Sequence, residues 1–427
     1  MSPHATDTLL PQQKPPQVQQ SRSPPPAADL EKAASAESCK DAGITECTCR
    51  EMELGAGDAV FTCFVVGPLV VGVWRGTWGL MELASDYFPY AQTYVLAIMV
   101  HVCFALLRSY LLDRSVGAWG EEKRAGRWLR ERALSRLYAY VFILSNVMHW
   151  RGGWGLFDGA VALIVPSEDD KNRPVVIAAL TLLFYICTLA LRASKNILAS
   201  PYFLVTDGKE PTYIFTTRFK TTSTRETALY VLDCVFSVAV VGSLVVFVWR
   251  GSWALLDMFL FPDDQLRSCW TSLLVGYALV VATFALQAPV RWAAARLHGA
   301  ARLLLADVYH LVSFLATVNV WRGVWGLLDI YLFPDSPKIS NWCTHIVSLT
   351  LLILLNCSNS IIVRGVYIDG EEPAGECVVF PCHYLRLFFH KERTKKRHRQ
   401  ALAAAALAAN RKIEEASVPL QMPEEKV

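Results

Sequence analysis

The chain has 427 residues, of which 53% are hydrophobic and 19% charged, with a net charge of +3. Soluble domains carry about 25% charged residues, so water is not the main solvent of this chain. The small net charge gives no basis for nucleic-acid binding. No His-Glu-x-x-His, Gly-Lys-Ser/Thr phosphate loop, Gly-x-Ser-x-Gly or zinc-like Cys/His spacing appears, so neither an enzyme nor a cofactor is expected.

The first segment, 1–57, includes QQKPPQVQQSRSPPPAAD at 12–29, a composition that cannot bury a core. It is expected to be a disordered cytoplasmic tail without a signal peptide, leaving the first membrane helix to target the chain. Eight apolar stretches follow, near 59–80, 91–112, 137–162, 174–191, 228–255, 269–290, 303–328 and 343–363. Each is long enough to cross a hydrocarbon core of about 30 Å as a helix. Connections after the even-numbered stretches hold sixteen Lys or Arg, against four after the odd-numbered ones. The bias places both termini in the cytoplasm.

A ten-residue phrase recurs four times, always at the end of an odd-numbered stretch: VWRGTWGLME at 73–82, HWRGGWGLFD at 149–158, VWRGSWALLD at 248–257 and VWRGVWGLLD at 320–329. The first tryptophans are 76, 99 and 72 residues apart, a short-long-short rhythm that implies two halves of two hairpins each. LVTDGKEP at 204–211 and VYIDGEEP at 366–373, one after each half, extend the match and suggest an Asp-Gly turn or short hairpin. The expected fold is therefore an all-α polytopic membrane protein of eight transmembrane helices. Its two four-helix halves, 58–191 and 228–363, have an even number of spans each and must face the same way as parallel pseudo-repeats. A cytoplasmic connection, 192–227, joins them, and a cytoplasmic tail, 364–427, follows.

Within the phrase, Trp74 and Trp78, Trp150 and Trp154, Trp249 and Trp253, and Trp321 and Trp325 are four apart and share a helix face. Arg75 and Glu82, Arg151 and Asp158, Arg250 and Asp257, and Arg322 and Asp329 are seven apart. That is about 10.5 Å along a helix, too far for a good ion pair. Three roles compete: interfacial anchors, charge pairs between one repeat and the next with close packing at the motif glycines, and an anion-binding or conducting site. The repeated order of residues is more than an aromatic belt needs, and no polar stripe marks a pathway, so inter-repeat pairing is the preferred role. Elsewhere His101, Asn146, His149, Asp233, Asp307, His310, Asn319, Asn356 and Asn359 are the polar groups inside apolar stretches, where interhelical hydrogen bonds are the ordinary use.

Cys269 and Cys343 each begin a helix beside a Trp on the expected outer side, where a bridge between them is one reading and two unpaired thiols the other. Cys377 and Cys382 lie where juxtamembrane palmitoylation occurs. The tail carries six basic residues within nine, Lys391, Arg393, Lys395, Lys396, Arg397 and Arg399, ahead of an Ala-rich helix former. Such a cluster serves as a topology anchor or contacts anionic lipid.

Eight spans with cytoplasmic termini and the repeated WRGxWGLLD phrase resemble the insect Fuseless family of multipass membrane proteins, over about 58–385. The resemblance implies a neuronal, presynaptic plasma-membrane protein whose partners are a calcium-channel complex or other presynaptic proteins, and which supports channel localisation and synaptic transmission. It supplies no set of functional residues. A small-molecule or anion transporter or channel using the motif arginines is the alternative from another class.

Overall fold

In the computed structural model, residues 44–116, 124–167, 171–207, 215–221, 227–363, 365–369, 371–373, 375–387, 389, 394 and 399–400 are described. The tail basic cluster other than Arg399, and nearly all of the Pro/Gln-rich segment, lie outside them. Contacts divide the chain into Met1–Glu53, described only from Ile44 onward as helix, and Leu54–Val427.

The described residues form helices and no strands; an isolated parallel bridge joins Thr216 and Gly365. In chain order the helices are α1 (Ile44–Phe61), a π-helical turn (Thr62–Val66), α2 (Gly67–Glu82), α3 (Tyr90–Val116), α4 (Arg124–Ile164) and α5 (Arg173–Ala190). They continue with α6 (Thr227–Phe236), a second π-helical segment (Ser237–Gly242), α7 (Ser243–Phe259), α8 (Gln265–Arg296), α9 (Gly299–Tyr331) and α10 (Pro337–Leu354). Among the described residues, five helical stretches are long and apolar enough to cross a membrane: Glu53–Glu82, Arg173–Ala190, Ala228–Phe259, Gln265–Arg296 and Gly299–Tyr331.

Local sequence sets where helices start and stop. Proline occupies the first turn of α5 and α10, where its missing N–H costs nothing. The side chain of Asp264 caps α8 by accepting from the Arg267 amide at 2.9 Å. The motif helices α7 and α9 both end in Leu-Phe-Pro-Asp. In each case the Phe, 261 or 333, takes a left-handed conformation (φ 49°), and the Pro behind it forbids further helix.

The repeated phrase lies on α2, α4, α7 and α9. Each of these packs chiefly against one of α3, α5, α8 and α10: α4 on α3, α7 on α5, α9 on α8, while α2 packs on the last helix, α10. This differs from hairpins made of a motif helix and its successor. Two of the four principal pairs, α5–α7 and α2–α10, join residues from the two expected halves. The reason is visible at the motif glycines. A Cβ on Gly76 would lie 2.5 Å from the Asn341 carbonyl oxygen and 2.6 Å from the His345 nitrogen of α10. One on Gly152 would lie 2.6 Å from Tyr94 Cβ of α3, and one on Gly323 would lie 2.7 Å from the Leu273 nitrogen of α8. Gly76, Gly152 and Gly323 meet backbone of the helix that their own helix packs against, and Gly251 meets the Thr181 side chain of α5.

At the end away from the motif, α5 and α10 stop at residues held in left-handed backbone, Arg192 (φ 51°) and Asn356 (φ 58°). Each leads into a 3₁₀ turn, Ser194–Ile197 or Ser358–Ile361. Parts of the chain after these turns are buried. Ile197, Tyr202, Leu204, Val378, Phe380 and Cys382 are buried in the same core as Trp74, Trp249 and Trp321. The two Asp-Gly corners are exchanged. Asp207 accepts from the Ser358 amide at 3.1 Å and the Asn359 amide at 2.8 Å, whereas Asp369 accepts from the amides of Ser194 at 2.6 Å and Lys195 at 3.2 Å. Each aspartate thus caps the 3₁₀ turn that follows the other half's last helix. Asp58, fully buried at the start of the bundle, pins the tail by accepting from the Tyr384 amide at 2.9 Å and Arg386 Nε at 2.8 Å.

Cys377 and Cys382 are buried in this layer, and burial pushes both thiols up. They are not presented for acylation. In the folded protein at pH 8, alkylation by N-ethylmaleimide should leave both unmodified, with full labelling after denaturation, as mass spectrometry of peptides would show. Gly76→Ala should lower stability by about 1–3 kcal/mol through separation of α2 from α10. Gly159→Ala, where a Cβ meets nothing within 4 Å, should leave the thermal midpoint unchanged or higher.

Candidate functional site

The four motif helices bring their repeated residues into one structure. Trp74, Trp150, Trp249 and Trp321 form a closed ring of edge-to-face contacts, with successive centroid distances of 5.3, 5.4, 5.4 and 5.7 Å. One helical turn further, Trp78, Trp154, Trp253 and Trp325 form a second closed ring at 5.3, 5.7, 6.0 and 5.9 Å. The four-residue spacing of the tryptophans makes the rings stack. Edge-to-face packing lets the positive rim of each indole meet the negative face of the next, worth about 0.5–1.5 kcal/mol per pair beyond burial.

The first ring is fastened to the buried irregular layer. Trp249 Nε1 donates to the Ile197 carbonyl at 2.8 Å, Trp321 Nε1 to the Ser200 carbonyl at 2.8 Å and Trp74 Nε1 to the Ile361 carbonyl at 3.2 Å. The carbonyls of Ile197 and Ile361 are freed by the 3₁₀ turns. Backbone that leaves helical register inside a bundle therefore finds its donors on the motif.

The arginines complete a cycle. Arg151 Nε and Nη2 donate to the two Glu82 oxygens at 3.0 Å, Arg250 Nε to Asp158 at 2.6 Å, Arg322 Nε to Asp257 at 2.8 Å and Arg75 Nε to Asp329 at 2.7 Å. Each Arg pairs with the carboxylate of the copy before it, and the first copy pairs with the fourth. The arginine side chains are 4%, 1%, 21% and 8% exposed in chain order, and the carboxylates 40–47%. The cation is the buried partner, and the anion sits at the rim.

Remaining guanidinium donors reach the helix that follows the paired carboxylate. Arg75 donates to Thr344 Oγ1 at 3.2 Å and Ser340 Oγ at 2.8 Å; Arg322 donates to Ser272 Oγ at 2.7 Å and Ser268 Oγ at 2.8 Å. Arg151 instead donates to the Phe88 carbonyl at 2.5 Å and lies 4.4 Å over the Tyr90 ring, while Arg250 lies 5.1 Å over Trp154. The hydroxyl pairs are residues that motif reading did not single out. Their signal is spacing: Ser268 and Ser272 follow Asp257 by 11 and 15 residues, as Ser340 and Thr344 follow Asp329. Asp58, Asp207 and Asp369 also escaped notice as caps, because the turns they cap are distant in sequence.

Cys269 and Cys343 are free thiols, so the bridge between them is not formed. They belong to different helix pairs. Cys269 on α8 is turned toward Gly326 of α9, whereas Cys343 is on α10, which packs against α2. Next to Cys269 a polar cavity of about 450 Å³ opens at the rim, lined by Asp257, Gln265, Ser268, Arg322 and Asp329 with Trp253 and Trp325. Among the described residues no group of three or more His, Cys, Asp or Glu could hold a metal ion.

A double-mutant cycle tests the belt. Arg151→Met, which leaves Glu82 at a half-exposed rim, should cost about 1–3 kcal/mol in thermal or denaturant unfolding of the purified protein. Glu82→Gln, which leaves the guanidinium buried without its anion, should cost at least as much. The double variant should lose less than the sum; additive losses would show that the pair is not coupled.

No curated protein and no solved structure matches the chain. The family model described as Fuseless matches residues 53–362, a stretch that contains all four copies of the motif. Together with the apolar helices, the match marks a membrane protein. With that match covering most of its length, the chain belongs to the Fuseless family.

Proposed function

We propose that this protein is a multipass organiser of the plasma membrane, without enzymatic activity, that works at the presynaptic terminal and supports calcium-channel localisation and synaptic transmission. In this reading the bundle has eight spans in two parallel halves. The motif ends face outward, both termini are cytoplasmic and the bilayer is the immediate partner. Anionic lipid would meet the basic tail cluster.

The observation that supports it is the closure of the motif on itself. Every motif Arg is engaged by a motif carboxylate, and two tryptophan rings fill the axis between the four helices. Chemistry spent in this way inside a bundle makes a rigid platform. Partner choice then falls to surfaces outside it, such as the tail. The synaptic part of the proposal rests on family membership.

A second reading, transport of a small polar solute, draws on the 450 Å³ cavity beside Arg322. One set of variants separates the two. Truncation after residue 390 should leave membrane insertion and the unfolding midpoint unchanged while calcium channels lose their concentration at release sites. Channels that stay in place would overturn the organiser reading for this tail. For transport, Arg322→Gln in proteoliposomes should alter solute flux at unchanged fold; loss of folded protein without any flux in the wild type supports the platform.

A further inference from the structure

We propose that a polar cavity beside Trp150 is a built site for ordered water, held by His101, Asn146 and His149 and bridging them to the π-helical segment Ser237–Gly242. The cavity has a volume of about 40 Å³, and its lining includes those three residues with Trp150, Asn196 and Ser237. All three are buried, at 4%, 2% and 3% exposure. Neither His101 Nε2 nor Asn146 Nδ2 completes a hydrogen bond of normal geometry among the described residues, although the two side chains approach one another and both residues line the cavity.

A buried polar atom without a well-made hydrogen bond is costly, and native interiors ordinarily supply a partner. The chemistry of the lining selects the occupant. No Asp, Glu, Lys or Arg faces the space, so nothing there balances the charge of an ion. Asn146 Nδ2 can only donate, and an imidazole nitrogen donates or accepts according to its tautomer, so the occupant must be able to accept and to donate. Two histidines without a third ligating group do not make a metal site. Water meets these requirements. It needs about 10–15 Å³ and two to four polar partners, and the cavity holds more than one.

Packing does not require these residues. At the same offsets from the fourth motif copy, Asn146 and His149 are replaced by Thr317 and Val320. On α8, Val280 stands seven residues beyond Leu273, as His101 stands seven beyond Tyr94, and Leu273 and Tyr94 are the residues that meet Gly323 and Gly152. There the three side chains are 0%, 0% and 1% exposed, and the Thr317 hydroxyl donates to the Ser313 carbonyl at 2.8 Å. The same architecture therefore closes with valine and threonine, while the second copy alone carries His before its first Trp. The π-helical segment forms one wall of the polar version, and π turns inside helices recur at functional sites.

The test uses full-length protein in lipid bilayers with ¹⁵N-labelled histidine. Magnetisation transfer from water to the ring nitrogens should give a signal at His101, assigned by its loss in His101→Val, or by backbone correlation if that variant does not fold. Asn146→Val should reduce the transfer at His101 while leaving the exposed His298 unchanged. No transfer from water to His101 in the folded wild type would overturn the proposal. So would a shift of both ring resonances on adding zinc, which would make the cavity a metal site.

Discussion

Burying a guanidinium requires an anion, and in this protein the anion always belongs to the copy before. A motif arginine cannot reach the carboxylate seven residues along its own helix without bending down its own side. The carboxylate of the neighbouring copy, by contrast, lies beside it across the helix interface at 2.6–3.0 Å. Pairing of this kind among four copies either makes three pairs and leaves one Arg and one carboxylate unmatched at the two ends or makes four and closes into a cycle. An unmatched Arg in a mostly apolar bundle is costly, and the closed cycle avoids it: Arg75 finds Asp329, 254 residues away. The tryptophan rings follow from that closure, because four helices held in a cycle point one face each toward a common axis, and that face carries the indoles.

The opposite end of the bundle solves a different problem. α5 and α10 are only 18 residues each, and the chain leaving them enters the interior as irregular backbone. Such backbone survives inside an apolar assembly only when its N–H and C=O groups are satisfied locally. Asp207 and Asp369 supply acceptors for the amides of the 3₁₀ turns, and the motif indoles supply donors for their carbonyls. Because each aspartate caps the turn after the other half's last helix, the caps also tie together parts of the chain about 150 and 175 residues apart. The tryptophan rings are thus held from both sides, by the ion-pair belt at one end and by the capped turns at the other.

Much of the candidate site is legible in the sequence. The tryptophan pairs share a face because four residues is close to one helical turn. The seven-residue gap between Arg and carboxylate excludes pairing within a copy and directs the search to another helix. What the gap does not contain is direction around the ring, or the hydroxyls of Ser268, Ser272, Ser340 and Thr344 that take the remaining donors. These lie on the surrounding helices, and their role exists only once α8 meets α9 and α10 meets α2. The polar cavity at His101 and Asn146 was legible as polar residues in apolar stretches and illegible as a cavity, because the partners left unfilled are a property of the packing.

The sequence by itself determined the helical, apolar character of the chain, the fourfold motif, its periodicity and its charge balance, since these depend on composition and spacing along one chain. The tertiary structure alone decided which helix each motif glycine meets, which carboxylate each Arg finds, and that the segments after α5 and α10 turn inward as buried core. Each of these choices depends on the free energy of satisfying a charge or a backbone group at a distance, and no local pattern encodes where the partner will be.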